Sequence, residues 1–301
     1  MTRDAPPGQA AGLGAGGLGA TGGASRPERP IEADWLALRR DMDDAAREAA
    51  QALCAELAAW HRARVPVDVP ADAPVEVFDL GSGTGANQAY LSRRLPFPTR
   101  WTLLDHDPAL LSHPGQGPGR RVLAGVEELP GLLEASSRER PGVAQVVTCS
   151  ALLDLLAADD LDGLAATLHA AGAPGLFALT VTGSVEIDPP ERADETVRRC
   201  FDAHMAREGR PGPGAGPYLA EAARTLGARV VDVRTPWRID TGDPATRAFA
   251  RRWLTDRAAA AVEQDAAERP AVHEWLVRRL RQVDGGTLKA RVGHVDLLVL
   301  P

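Results

Sequence analysis

The sequence predicts an α/β fold in which a mostly parallel sheet carries helices on both faces. Three observations lead there. Short apolar runs closed by small or acidic residues alternate with helical stretches along residues 75–301. One run passes directly into a turn with glycine at alternate positions and then into a helix. The chain also ends in a long apolar strand that is approached through an extended helical segment.

Residues 1–29 are rich in glycine, alanine and proline without hydrophobic periodicity, and a disordered tail is expected there. Residues 31–64 predict helix, because Trp35, Leu38, Met42, Ala46, Ala49, Leu53 and Leu57 recur at three- and four-residue steps as one apolar stripe. Prolines 66, 70 and 74 stiffen the linker at 65–74, so 30–74 reads as an N-terminal helical cap with its linker. Strands are expected at 75–80, 101–104, 121–123, 144–148, 176–181, 229–233 and 288–300. Helices fall between them at 86–95, 108–111, 131–138, 161–171, 218–226 and 246–283. Gly293 suggests a bulge in the last strand. Residues 182–217 form an insertion that begins as a loop, carries a helix at 195–207 and ends in a Gly/Pro run; such connections commonly build lids.

The glycine turn lies in VEVFDLGSGTGAN at 75–87. Glycines there permit positive φ and let a ligand approach the backbone, while the helix start offers free N–H donors. Gly81, Gly83 and Ala86 also satisfy the relaxed dinucleotide pattern, so the glycines alone fit two cofactor classes. Asp79 favours one of them. A carboxylate beside a pyrophosphate is unfavourable, whereas beside the ammonium and sulfonium of S-adenosylmethionine (SAM) it is favourable. The second strand ends at Asp105, suited to accept from both ribose hydroxyls, and Asp107 precedes Pro108 as a helix cap.

VFDLGSGTGAN, followed by LLDHDP and AGVEELP, resembles motifs I, II and III of the class I SAM-dependent methyltransferases, and the likeness extends over roughly residues 75–301. It implies a Rossmann-like, seven-stranded mixed sheet whose last strand is antiparallel and lies between the fifth and sixth. It also implies SAM as cofactor, with Asp79, Gly81, Ser82, Gly83 and Gly85 at the methionine end, Asp105 at the ribose and residues 125–128 at the adenine. Many members have aspartate where Val126 stands, so Glu127 or a backbone carbonyl takes the adenine amino group here. Trp35 to Arg39 with Asp43 and Arg47, SALLDL at 150–155 and VGHVDLL at 292–298 resemble a group of bacterial members. These finer likenesses bear on the fold and not on the acceptor.

Ligands in open α/β sheets bind beyond the strand ends at the switch in strand order, so Ser150 and Asp154 are expected beside the cofactor's reactive end. Asp154 can serve as a general base or be a first-turn helix acid. His204 shares a helical face with Phe201 and is a second candidate base, or a surface or core histidine. Arg39 can pair with Asp43, as Asp43 can with Arg47, or can reach the cofactor carboxylate. His294 and Asp296 form a polar pair near the pocket or a purely structural one. Trp237, Trp253 and Trp275 read as packing. Asp188-Pro189-Pro190 lacks the aromatic residue of a base-flipping motif and reads as a loop bend.

The expected activity is methyl transfer to oxygen, nitrogen or carbon of a small molecule by in-line displacement. An RNA or protein methyltransferase, an NAD(P)-dependent oxidoreductase and a non-catalytic SAM-binding or interaction protein are the alternatives. The net charge of −7 gives no general attraction to nucleic acid. Three scattered cysteines make neither a disulfide framework nor a zinc site, and no carboxylate set suggests magnesium-dependent catechol chemistry. With no apolar run of membrane-spanning length and no signal-peptide pattern, a cytoplasmic location is expected.

Overall fold

The computed structural model describes residues 32–64, 70 and 73–301; the tail at 1–29 and most of the linker at 65–74 lie outside the described residues. Two helices open the chain, α1 (Ala33–Arg47) and α2 (Gln51–Arg62), joined by a 3₁₀ turn at Glu48–Ala50. The tighter turn rotates the apolar stripe by a residue, so Ala50 is buried where Ala49 was expected.

The alternating part follows as β1 (Val75–Leu80), α3 (Ala86–Leu91), β2 (Thr99–Asp105), α4 (Pro108–Leu111), β3 (Arg120–Leu123), α5 (Leu129–Glu139), β4 (Gln145–Ser150), α6 (Ala158–Ala171) and β5 (Gly175–Asp188). Then come α7 (Asp194–Met205), α8 (Ala215–Thr225), β6 (Arg229–Arg234), β7 (Trp237–Asp240), α9 (Pro244–Gln264), α10 (Arg269–Asp284) and β8 (Lys289–Leu300). The helical segment expected at 246–283 is therefore two helices, broken where Asp265 caps a 3₁₀ turn through Ala267 N.

The sheet order is β3-β2-β1-β4-β5-β8-β6. Pairs from β3 to β5 are parallel, and β8 runs antiparallel between β5 and β6. This is the Rossmann-like arrangement that the methyltransferase resemblance implies, with one correction. Instead of seven strands the described residues form eight, because the short β7 pairs with the first half of β8. That half outruns β6 and would otherwise leave an open edge.

Every residue of β1 is buried because both faces are covered. Val75 and Val77 face α2 and α3, while Phe78 and Leu80 face α5, α6 and α8. A third core joins α1, α7, α9, α10 and β7, so the N-terminal helices share the cores of the rest of the chain. At its centre, the fully buried Arg279 donates to Asp194 and to Pro189 O (2.7 Å), and Trp275 Nε1 donates to Asp194 Oδ1 at 2.7 Å. These bonds lock the start of α7 to α10.

Two sequence expectations change here. The insertion at 182–217 does not begin as a loop, since β5 continues along β8 to Asp188. The bulge expected in the last strand belongs to its partner: Thr182, Gly183 and Ser184 on β5 oppose Gly293 alone. A Cβ on Gly293 would collide with Thr182 Oγ1 and Ser184 Cβ. Glycine is needed there because the bulged strand presses on it. Among the described residues no helix is long and apolar enough to cross a membrane.

Candidate active site

A cavity of about 790 Å³ opens at the carboxyl ends of β1, β2 and β4, and α1, α7 and α9 close its outer side. Of the sequence candidates, Arg39, Gly81, Ser82, Gly83, Asp105, Glu127, Ser150, Asp154 and His204 line it, and Asp79 and Gly85 do not.

After Leu80 the chain turns through Gly81 (φ 58°) and Gly83 (φ 55°), conformations that disfavour a side chain. Ser82 N donates to Leu104 O at 2.8 Å, and Gln116 Nε2 donates to Gly83 O at 2.7 Å, fixing the turn from both sides. Gly85 serves a different purpose. A Cβ there would meet Gly115 O at 2.8 Å and Gln116 Cα at 2.9 Å, so it lets the 115–117 segment pack on the helix start.

Asp79 is completely buried behind this turn. Its Oδ1 accepts from Asn87 Nδ2 at 2.6 Å, while Oδ2 has no protein partner. Burial pushes its carboxyl up to about 7, against the opposing influences of the Asn87 bond and the Arg47 charge. Asn87, and not Asp79, reaches the cavity wall.

Asp105 does reach the cavity. Its Oδ2 accepts from Gly83 N at 2.8 Å and its Oδ1 from Asp107 N at 2.9 Å, so it organises the glycine turn while leaving lone pairs toward the cavity. Asp107 caps α4 through Ala109 N at 2.8 Å. Farther along the wall, Val126 and Glu127 follow Gly125, whose missing Cβ leaves room for the Glu127 carboxylate.

The other end of the cavity is shaped by two strained residues. Ala151 (φ 54°) and Leu179 (φ 57°) are non-glycine residues in the left-handed region, and both line the wall. Leu179 N donates to Asp296 Oδ1 at 2.8 Å, which also accepts from Thr235 Oγ1 at 2.7 Å. Asp296 therefore anchors the irregular part of β5 and is not joined to His294 as a pair.

Asp154 lies in a 3₁₀ turn after β4, with Oδ1 buried and unpartnered. Burial raises its carboxyl to about 6, opposed by its own and the Val181 backbone N–H groups and by the charges of Arg39 and Arg210. His204 on α7 places Nε2 3.5 Å from Glu263 Oε1 on α9. Phe201, expected beside it, instead covers the Arg257 guanidinium at 3.9 Å.

Arg39 lines the cavity but is held by Asp43, with Nε–Oδ2 at 2.7 Å, and lies over the Trp237 ring at 5.1 Å. Trp237 Nε1 also donates to Asp43 Oδ1 at 2.9 Å. Arg47 does not pair with Asp43 as the spacing suggested. It turns to Asp296 Oδ2 at 3.8 Å and sits on the Tyr90 ring at 3.9 Å, with Nε buried and unpartnered. Asn87, Arg47 and Arg210 are cavity residues that the sequence did not assign to the site, and His294, expected near the pocket or as a purely structural residue, also lines it. Arg47 alone had a local signal, adjacent to Ala46 at the edge of the apolar stripe.

No family model matches the chain, and no curated protein matches it in sequence. Solved structures are similar at low identity. A cyclopropane-fatty-acyl-phospholipid synthase-like protein from Lactobacillus casei is 13% identical with a TM-score of 0.45, over 87% of this chain and 92% of that one. A cyclopropane synthase from Mycobacterium tuberculosis is 14% identical with a TM-score of 0.36, over 75% and 79%. A plantazolicin methyltransferase in complex with SAH is 11% identical with a TM-score of 0.34, over 88% and 90%.

Proposed function

We propose that this chain is a SAM-dependent methyltransferase acting on a small-molecule acceptor. The observation that carries the reading is the continuity of the cavity, with the glycine turn and Asp105 at one end and Asp154 and His204 at the other. Its volume of about 790 Å³ suits a small-molecule site rather than a macromolecular groove.

The residues at the start of the turn fit the amino-acid end of SAM better than a pyrophosphate. Asp79, buried behind the turn, keeps one carboxylate oxygen without a hydrogen-bond partner, a negative group that favours an ammonium over a pyrophosphate. Asp105 would take the ribose hydroxyls, and Glu127 the adenine amino group. When bound, SAM supplies a methyl group already activated by its sulfonium, so catalysis rests mostly on positioning. Asp154, ionised above about pH 6, would receive the proton that the acceptor gives up. Leu36 on α1 covers Gly83, and Trp35 also lines the cavity, which would limit water.

Calorimetry with SAM and with NAD tests the cofactor. Binding of SAM is expected, and binding of NAD without SAM would overturn the reading. Asp105→Ala should weaken SAM binding at least tenfold, because it removes the ribose acceptor and releases Gly83 N. Incubation with labelled SAM and cell extract, fractionated by size, then separates small-molecule from macromolecular acceptors.

A further inference from the structure

The acceptor end of the cavity holds a guanidinium that the fold orients and leaves open. After α7 the chain turns through Glu208 (φ 56°) and Gly209 (φ 75°), two consecutive residues in the left-handed region. Gly209 O accepts from Ala158 N at 3.0 Å, which ties this turn to the start of α6, shortly after the 3₁₀ turn that carries Asp154. Arg210 follows and lines the cavity, with its side chain 8% exposed. Its Nε donates to Arg207 O at 3.0 Å, and Arg207 is fixed in turn to the end of α9 by Gln264 Oε1 (2.8 Å) and Glu263 O (3.0 Å).

The Nε bond sets the plane of the fork and uses none of its terminal N–H groups. Among the described residues Arg210 Nη1 and Nη2 make no hydrogen bond, and neither is sealed as Arg47 Nε is. Glu208 Oε2 stands 3.8 Å from Nη2 on a side chain 56% exposed, too far to hydrogen-bond and screened by water. The other arginines of the cavity are placed differently. Arg39 is bound to Asp43 and Arg252 to Asp256, both at 2.7 Å. Arg47 packs on Tyr90 of α3, the helix that the glycine turn begins, so it belongs to the cofactor end. A guanidinium fork nearly removed from water and lacking an acceptor is unfavourable unless a ligand supplies one.

From this arrangement, and resting on the reading of the cavity as a methyltransferase site, we infer that the methyl acceptor carries a carboxylate bound by Nη1 and Nη2 of Arg210. Two parallel N–H···O bonds match the planar fork to a planar carboxylate. With both oxygens so engaged the carboxylate is an anchor, and the methyl group goes to another atom of the molecule. The charge balance points the same way. Glu263 and Asp256 line this end but are paired with Arg207 (3.2 Å) and Arg252, so Arg210 leaves one positive charge to be matched. A carboxylate matches it. A phosphate monoester, with a charge of about −1.5 to −2 at pH 7, leaves a negative excess near Asp154, whose carboxyl already feels the Arg210 charge.

The test incubates the full chain with a cell extract and SAM carrying a ¹³C-labelled methyl group, and finds labelled small molecules by mass spectrometry. Carbodiimide coupling to aniline reports a free carboxyl, and elemental composition reports phosphorus or sulfur. Labelled products with a free carboxyl are the expected result. Products without one, phosphate or sulfate esters in its place, or SAM binding with no labelled small molecule, overturn the inference. Absence of SAM binding in calorimetry would instead sink the underlying reading. With the acceptor purified, Arg210→Gln should lower kcat/KM about a hundredfold, mostly through KM, with SAM affinity kept. Arg210→Lys, which keeps a charge but not the fork, should recover part of the loss. The carboxamide analogue of the acceptor separates contact from a structural role. The wild type should prefer the carboxylate about a hundredfold, and Arg210→Gln should lose that preference. The same preference in both proteins, or a loss confined to kcat, would remove Arg210 from acceptor binding.

Discussion

Replacing Asp79 with asparagine isolates the energy stored in one buried carboxyl. Its value of about 7 in the folded chain compares with an ordinary 3.8, and each pH unit corresponds to about 1.4 kcal/mol. The difference puts the cost of ionising Asp79 inside the fold at about 4 kcal/mol. The sign follows from proton counts. Between pH 3.8 and about 7 the unfolded chain has lost this proton and the folded chain keeps it, so stability falls as pH rises and levels off above 7. Asp79→Asn lacks this dependence. Urea unfolding of both proteins at pH 5 and pH 8, without cofactor, should show the variant gaining on the wild type between the two values, by about 3 kcal/mol over the window. The same variant should bind SAM more weakly above about pH 7, since it removes the negative charge that lies behind the glycine turn. A stability difference that is flat with pH, or a wild type that gains on the variant as pH rises, would refute the argument that burial of Asp79 outweighs the Asn87 bond and the Arg47 charge.

Two further outcomes can be measured. Asp154→Asn should lower turnover by about a hundredfold or more while leaving SAM binding intact, and the wild-type kcat/KM should rise through about pH 6 to a plateau that the variant lacks. Retained turnover would exclude Asp154 as the proton acceptor. Arg279→Met should destabilise the fold by about 3 kcal/mol, because the carboxylate of Asp194 loses its buried cation. Urea unfolding with Trp275 fluorescence checks this, and a change within experimental error would mean that the bonds between α7 and α10 contribute nothing net.

Much of the fold was legible because its signals are local. The run from β1 into the glycine turn, the Asp107–Pro108 cap and the alternation of strands and helices depend on residues within a few positions of one another. The errors fell where a distant segment decides the outcome. Whether residues 182–188 are loop or strand depends on β8, about a hundred positions later, whose backbone groups they complete. Gly293 signalled an irregularity correctly but on the wrong strand, since the extra residues that press on it are Thr182 to Ser184.

The glycine turn and its flanking acids were determined by the sequence itself, because positive φ and a helix start are properties of a short stretch of chain. Its partners were not. Asp79 and Asp105 stand at the ends of neighbouring strands, yet the first is sealed behind Asn87 and the second opens to the cavity. Arg39 and Arg47 share a helix, yet one is neutralised by Asp43 and the other turns to Asp296. His294 joins Asp154 at the cavity only because β8 folds back beside β5. The state and availability of a charge depend on burial and on neighbours brought together through space, and only the tertiary structure supplies those.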